Sequence, residues 1–315
     1  MKKSITTTIA FLTLSFTFAQ QITVEEIYDN YIEAIGGKER LNNIVNQMTI
    51  STSNSSVSSE AWSTNSQTMV IDFIDYDAQQ TANITKNYPS SLNGNKTSYT
   101  RRLTANGKMT IILPDGQKIE SSFPEQFPDF MDTTVPLGSK ILPNKTFNDK
   151  EVYVVNYEQE IAGIKQNVYE YFDIASGLKI GSKNNSETTK DNETSALSTS
   201  ISTSSTSVNS TITSFEYKKM NGFLYPYKIK ANSYMEIIIT TIEPSVSELA
   251  SFVVKVDENK VDEKYKQKEV NTKTTKSHSE WETEILAVEF NIDTEDFKQN
   301  CFQNPEACFE KYEKK

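Results

Sequence analysis

From Met48 almost to the end of the chain, apolar residues recur at every second position, in strand-length runs that stop at Asn-Gly, Asp-Gly or Ser-Gly. A period of two sends alternate side chains to opposite sides of an extended backbone, so such a chain folds as strands with one covered face. Candidate strands cover residues 47–53, 67–76 and 96–104. Asn106-Gly107 then turns the chain into 108–113, and Asp115-Gly116 turns it into 117–122. Residues 123–131 (FPEQFPDFM) are broken by proline and read as an aromatic loop. Further strands are expected at 151–157 and 167–172, around Ala162-Gly163, and at 178–183 after Ser176-Gly177. Others follow at 214–219, at 223–232 after Asn221-Gly222, and at 233–242, 249–256 and 281–291. The fold class predicted is mainly β, with a minor helical part.

The exceptions to the period of two lie at the ends. Thr23 followed by Glu26 forms a capping-box pattern, and Val24, Ile27, Tyr28, Tyr31, Ile32 and Ile35 then make one apolar helix face. Gly36-Gly37 stops that helix, and a short second one carries Leu41, Ile44 and Val45. Residues 186–214 are dominated by Ser and Thr. Their first part reads as an exposed hairpin tip near 187–194, and their second as a solvent-facing strand. Residues 258–279 are charged without apolar periodicity and read as a loop. Residues 294–315 read as helical at first and then as a polar tail.

Met1 to Ala19 show a positive start at Lys2 and Lys3, a short apolar run and a small residue before Gln20. That is the pattern of a secretory signal. No cysteine follows the expected cleavage point, so a lipidated N-terminus is not expected, and the mature chain is placed in the periplasm or outside the cell. The domain expected is 20–300, with 301–315 as a C-terminal tail. Cys301 and Cys308 are the only cysteines. Export places them where disulfides persist, and a local disulfide clipping the tail is expected; two reduced thiols are the alternative if the chain stays inside the cell. Two thiolates supply half a zinc shell, so no metal site is expected.

The net charge of −10 and the pI near 4.9 disfavour nucleic acid, whose phosphates need clustered Lys and Arg. The single histidine, His278, lies in the charged stretch without an apolar frame. There is no HExxH, GxSxG, P-loop or GxGxxG, and no cofactor is implied. Asp72, Asp75 and Asp77 lack the glycine and late glutamate of a calcium loop and read as a solvated strand end. Of Arg101-Arg102, one side chain is able to point inward and hold an acidic group. The chain is expected not to be an enzyme; a hydrolase built on two facing carboxylates is the alternative that residue types leave open.

Four stretches in order, EEIYDNYIEAIGGKERLNNI (25–44), EYFDIASGLKIGSK (170–183), FEYKKMNGFLYPYKIKA (215–231) and ILAVEFNIDTEDFK (285–298), resemble the outer-membrane lipoprotein-sorting-protein-like family. The resemblance implies a single curved antiparallel sheet forming an incomplete barrel around short N-terminal helices, with a cavity for acyl chains between sheet and helices. The expected lining is Val24, Ile27, Tyr28, Tyr31 and Ile32 from the helix, with Met69, Ile71, Phe73, Tyr169 and Tyr171 from the strands. The function implied is an exported binding or carrier protein for lipoprotein acyl chains or another hydrophobic ligand. A ligand-free structural or interaction protein of the envelope, with an envelope protein as partner, is the alternative.

Overall fold

The computed structural model describes residues 22–60, 62–89, 96–122, 133–161, 164–196, 199–243 and 269–313. The expected signal, the aromatic loop at 123–131 and the strand at 249–256 lie outside them.

Helix α1 (Val24–Ile35) opens with the capping box read from the sequence. Thr23 accepts from the Glu26 amide, and the Glu26 carboxylate accepts from the Thr23 amide. A four-residue turn of helix, α2 (Lys38–Leu41), follows. The strands are β1 (Asn46–Ser59), β2 (Ser63–Asp75), β3 (Gln80–Asn87), β4 (Ser98–Ala105), β5 (Lys108–Ile112), β6 (Lys118–Ser122) and β7 (Lys140–Phe147). They continue as β8 (Lys150–Ile161), β9 (Ile164–Asp173), β10 (Lys179–Ala196), β11 (Thr199–Met220), β12 (Phe223–Glu243) and β13 (Glu269–Phe290). Helix α3 (Thr294–Phe297), a π turn (Lys298–Phe302) and helix α4 (Pro305–Glu313) close the chain.

All thirteen strands form one antiparallel sheet in the order β6-β5-β4-β3-β2-β1-β13-β12-β11-β10-β9-β8-β7. Among the described residues its edges, β6 and β7, are not paired with each other, and the sheet is not closed into a barrel. Tight turns fix the register. Asn106-Gly107, Asn148-Asp149 and Asn221-Gly222 all hold positive φ at both positions, as the twist of a two-residue hairpin demands.

Following paired residues from strand to strand tracks each face of the sheet. Thr52 pairs with Met69 and with Glu284, Glu284 with Lys228, Lys228 with Glu216, Ser214 with Gly181, and Gly181 with Tyr171. Directly paired residues, and residues two apart on one strand, share a face. Met69, Ile71, Phe73 and Tyr171 therefore stand on one face, and Phe172 and its neighbour Val155 on the other. The two helical layers divide between them. Phe297, Cys308, Phe309 and Tyr312 from the C-terminal helices pack on Met48, Ile50, Met69, Ile71, Phe73 and Ile84, whereas α1 packs on Val155 and Phe172. A third cluster, Val152, Val154, Tyr171 and Ile180, lies on the first face over β8–β10. There a side chain at Gly181 would meet Phe147 at 2.4 Å and the Thr213 carbonyl at 2.7 Å, so the ring of Phe147 lies where only glycine leaves room.

The mainly β class and the single open antiparallel sheet are as expected from the sequence. Other details differ, and two strands, β3 and β7, fall where the sequence reading places none. The Ser/Thr-rich tract is one long hairpin, β10–β11, rather than a tip and a separate strand. Residues 223–242 form one strand, β12, not two. Residues 269–279, read as loop, belong to β13. The polar tail is helix α4, whose Phe309 is fully buried.

Candidate functional site

The seam between α1 and the sheet is where the sequence places a ligand, and it is densely built. The ring of Phe172 meets Tyr28 at 5.2 Å and Tyr31 at 5.9 Å between centroids. Ile27, Tyr28, Tyr31 and Ile35 are buried in the same cluster, Val24 packs against it partly buried, and Ile32 is buried beside them. Each large side chain so covered contributes about 1.5–3 kcal/mol relative to exposure.

Under the helix lies a buried ion pair. Lys179 Nζ donates to Glu170 Oε1 at 3.1 Å, and the Tyr28 hydroxyl donates to Glu170 Oε2. Glu170 reaches this side by alternation, since it shares the face of Phe172. Lys179 reaches it through a β-bulge: the register steps from Lys179–Phe172 to Gly181–Tyr171, so the extra residue, Ile180, joins the opposite cluster and Lys179 turns toward α1. Its ammonium lies 5.6 Å over the Tyr31 ring, and its carbonyl accepts from the Tyr217 hydroxyl at 2.7 Å. Burial alone would pull the Lys179 ammonium down, but the Glu170 carboxylate outweighs it and holds the amine above the ordinary lysine range. Burial pushes the Tyr217 hydroxyl well up.

At the outer rim of α1 a cleft of about 350 Å³ opens between Ile27, Asn30 and Ala34 and the β9–β10 corner, with Tyr153 and Phe172 as its apolar wall. Gly177 forms the lip at φ +72°, and a side chain there would meet the Asn30 carbonyl at 3.0 Å. Asp173 braces the corner by accepting from Ser176 at 2.5 Å and from Lys150 at 3.1 Å. Despite its burial, these bonds hold its carboxyl below the usual range.

The ten residues expected to line one cavity occupy three places. The five from the helix are at the seam. Met69, Ile71 and Phe73 lie under the C-terminal helices, with Phe73 stacked on Phe297 at 4.4 Å. Tyr171, with Tyr169 partly buried beside it, lies in the third cluster and stacks on Phe147 at 4.5 Å. Two physical causes separate them. Alternation sets Tyr171 opposite Phe172, and the chain supplies a second helical layer that takes the Met69 face. Sequence reasoning missed Phe172, Glu170 and Lys179 at the seam, and Phe309 and Tyr312 in the cap. Pro305 just after Asn304, ahead of Cys308, Phe309 and Tyr312, is the helix-start signal that marks α4.

Cys301 and Cys308 form the local disulfide, with Cα atoms 4.8 Å apart. His278 is exposed on β13, 3.8 Å from Glu280. Asp72 is not a solvated strand end: Asn83 donates to it at 2.6 Å, and burial pushes its carboxyl up against the pull of Asn83 and Arg102. Arg101 donates to the Phe302 carbonyl at 3.2 Å and so anchors the cap, not an acidic ligand. Among the described residues, no group of His, Cys, Asp and Glu is placed to hold a metal ion, and no helix is long and apolar enough to cross a membrane.

No protein-family model matches the chain, and no curated protein matches it. Among solved structures it is similar to a DUF1329 family protein from Desulfovibrio piger, at 8% identity and a TM-score of 0.43 over 89% of this chain and 97% of that one. It is also similar to an outer membrane lipoprotein-sorting protein domain from Vibrio parahaemolyticus, at 11% identity and a TM-score of 0.41 over 89% of this chain and 98% of that one.

Proposed function

We propose that the protein is an exported, non-enzymatic binding or carrier protein that takes the acyl chain of a lipoprotein, or another slender apolar ligand, at the seam between α1 and the sheet. The observation that carries this reading is the cleft bordered by α1, in which Ile27, Ala34, Tyr153 and Phe172 form an apolar floor and Asn30, Asp173 and Ser176 a polar rim. Its volume of about 350 Å³ is at the low end for a small-molecule site. The end of an alkyl chain enters first, and α1 must shift to admit the rest. Each CH₂ so buried contributes about 0.8 kcal/mol.

The test is mass spectrometry of lipid carried through purification, with displacement of a fluorescent fatty acid from the full chain. Bound lipid, and a signal abolished by Ala34→Trp, support the carrier. Absence of lipid and no uptake of the probe overturn it.

A second reading, a ligand-free interaction protein of the envelope, draws on the filling of the seam. Tyr31 and Phe172 are 1% exposed and Tyr28 3%, so large side chains occupy the space an acyl chain would take. The same experiment decides between the two.

A further inference from the structure

We propose that a separate open cleft, on the face of β1, β2, β12 and β13, is a binding platform for a neutral polysaccharide. The cleft measures about 970 Å³ and lies away from the α1 seam. Its walls follow from the register. Gln67 pairs with Asn54, Asn54 with Glu282, and Glu282 with Lys230, so these four side chains form one row on one face. Two residues along each strand a parallel row begins at Asn65 and ends at Asn232.

The chemistry of the rows selects the ligand. Lys228 and Lys230 both lie on Glu282, at 2.9 and 3.7 Å, so the charges there neutralise one another. What remains is carboxamide and hydroxyl, with Glu280 in the second row 3.8 Å from His278. Among the described residues, the side chains of Asn54, Asn65, Gln67 and Asn232 have no hydrogen-bond partner in the protein. A carboxamide presents donor and acceptor side by side, which is the complement of vicinal sugar hydroxyls. Adjacent strands are about 4.8 Å apart, close to the roughly 5 Å repeat of an extended pyranose chain. A glycan laid across the strands meets one polar side chain per sugar. Tyr88 lines the same cleft; its hydroxyl donates to Glu313 at 3.0 Å, which fixes the ring as a surface for the apolar face of a sugar.

An extended peptide fits less well. Peptides recruited by a sheet pair with a free backbone edge, and here β1, β12 and β13 are each paired on both sides; β2 pairs with β3 only from Thr68 onward, so such an edge is confined to Ser63–Gln67 at one end of the cleft.

The full chain is titrated by calorimetry and by amide NMR with cellotetraose, with the tetramer of N-acetylglucosamine, and with tetrathreonine as a peptide control. We expect saturable binding of at least one tetrasaccharide, with shifts at the amides of Asn54, Gln67 and Asn232. Asn54→Ala with Asn232→Ala weakens it about tenfold or more. Both side chains are exposed, so the melting temperature of this variant stays at the wild-type value. Tyr28→Phe, at the α1 seam, leaves sugar binding unchanged. The proposal is overturned if neither sugar binds up to about 10 mM, if the double variant binds as the wild type does, or if only tetrathreonine binds. None of these results bears on fatty-acid displacement at the seam.

Discussion

The hydroxyl of Tyr28 donates to one carboxylate oxygen of Glu170 while Lys179 occupies the other at 3.1 Å, so a tyrosine on the first helix is the third member of an ion pair buried beneath it. Both charges have side chains less than 15% exposed. Lifting α1 removes the hydroxyl and wets the pair at once, which ties the position of the helix to the integrity of that ion pair.

Breaking the pair from one side is therefore expected to cost more than removing both charges. Glu170→Gln leaves the Lys179 ammonium buried without its counter-charge, a loss of about 3–5 kcal/mol in urea unfolding. Glu170→Leu together with Lys179→Met is expected to lose less than Glu170→Gln alone. Tyr28→Phe keeps the ring against Phe172 and loses about 1.5–3 kcal/mol for a hydrogen bond to a charged group. Simple additivity of the Glu170 and Lys179 substitutions in a double-mutant cycle would contradict the coupling.

The pH dependence has two limbs of opposite sign. Burial raises the Asp72 carboxyl in the folded state, so stability from this group is complete below its unfolded value of about 3.9 and is lost as pH rises through the raised folded value. Asp72→Asn should match the wild type near pH 3 and melt higher than it at pH 7. Glu313 is held low by its bond from Lys86. Its contribution is present above the unfolded value of about 4.3 and disappears as pH falls through the folded one, so Glu313→Gln flattens the acid limb. Thermal melts from pH 2.5 to 7.5 measure both, and a lower melting temperature for Asp72→Asn at pH 7 would contradict the first.

The C-terminal helices should behave as a cap on Met69, Ile71 and Phe73. Phe309→Ala removes a fully buried ring from that cluster and is expected to cost about 3–5 kcal/mol. Cys301→Ser with Cys308→Ser opens a loop of sequence separation 7, worth about 2–3 kcal/mol in the chain-entropy account. Both variants should bind more of an apolar dye than the wild type at temperatures below their melting points. Unchanged dye binding in Phe309→Ala would mean that the cap does not shield the sheet.

Local chemistry made much of this fold legible. Thr23 and Glu26 announce α1, Asn106-Gly107 and Asn221-Gly222 announce their hairpins, and both cysteines pair as their spacing suggests. What stayed hidden has a common cause. Period two says that a strand has two faces but not which one a helix will choose, so alternation alone does not tell that Phe172 rather than its neighbour Tyr171 meets Tyr28. Residues 271–276 of β13 (NTKTTK) are exposed on both faces, which leaves no apolar alternation to read. Lys179 faces the helix only because of a bulge, and a single extra residue has no sequence mark of its own.

The order of the strands sets β1 beside β13 in the middle of the sheet, while both rims come from the centre of the chain. As the chain emerges N-terminus first, β1 to β6 are free to zip together one hairpin at a time, with β1 left as a sticky border. That border waits until β13, the last strand made, arrives. Assembly of the two half-sheets thus hinges on one late, long-range splice, the step at which loop-closure entropy is largest and association with other chains most competitive. A circular permutant cut between β6 and β7, with its old ends joined, would leave only the terminal helices between β13 and β1, shorten that splice and should fold faster.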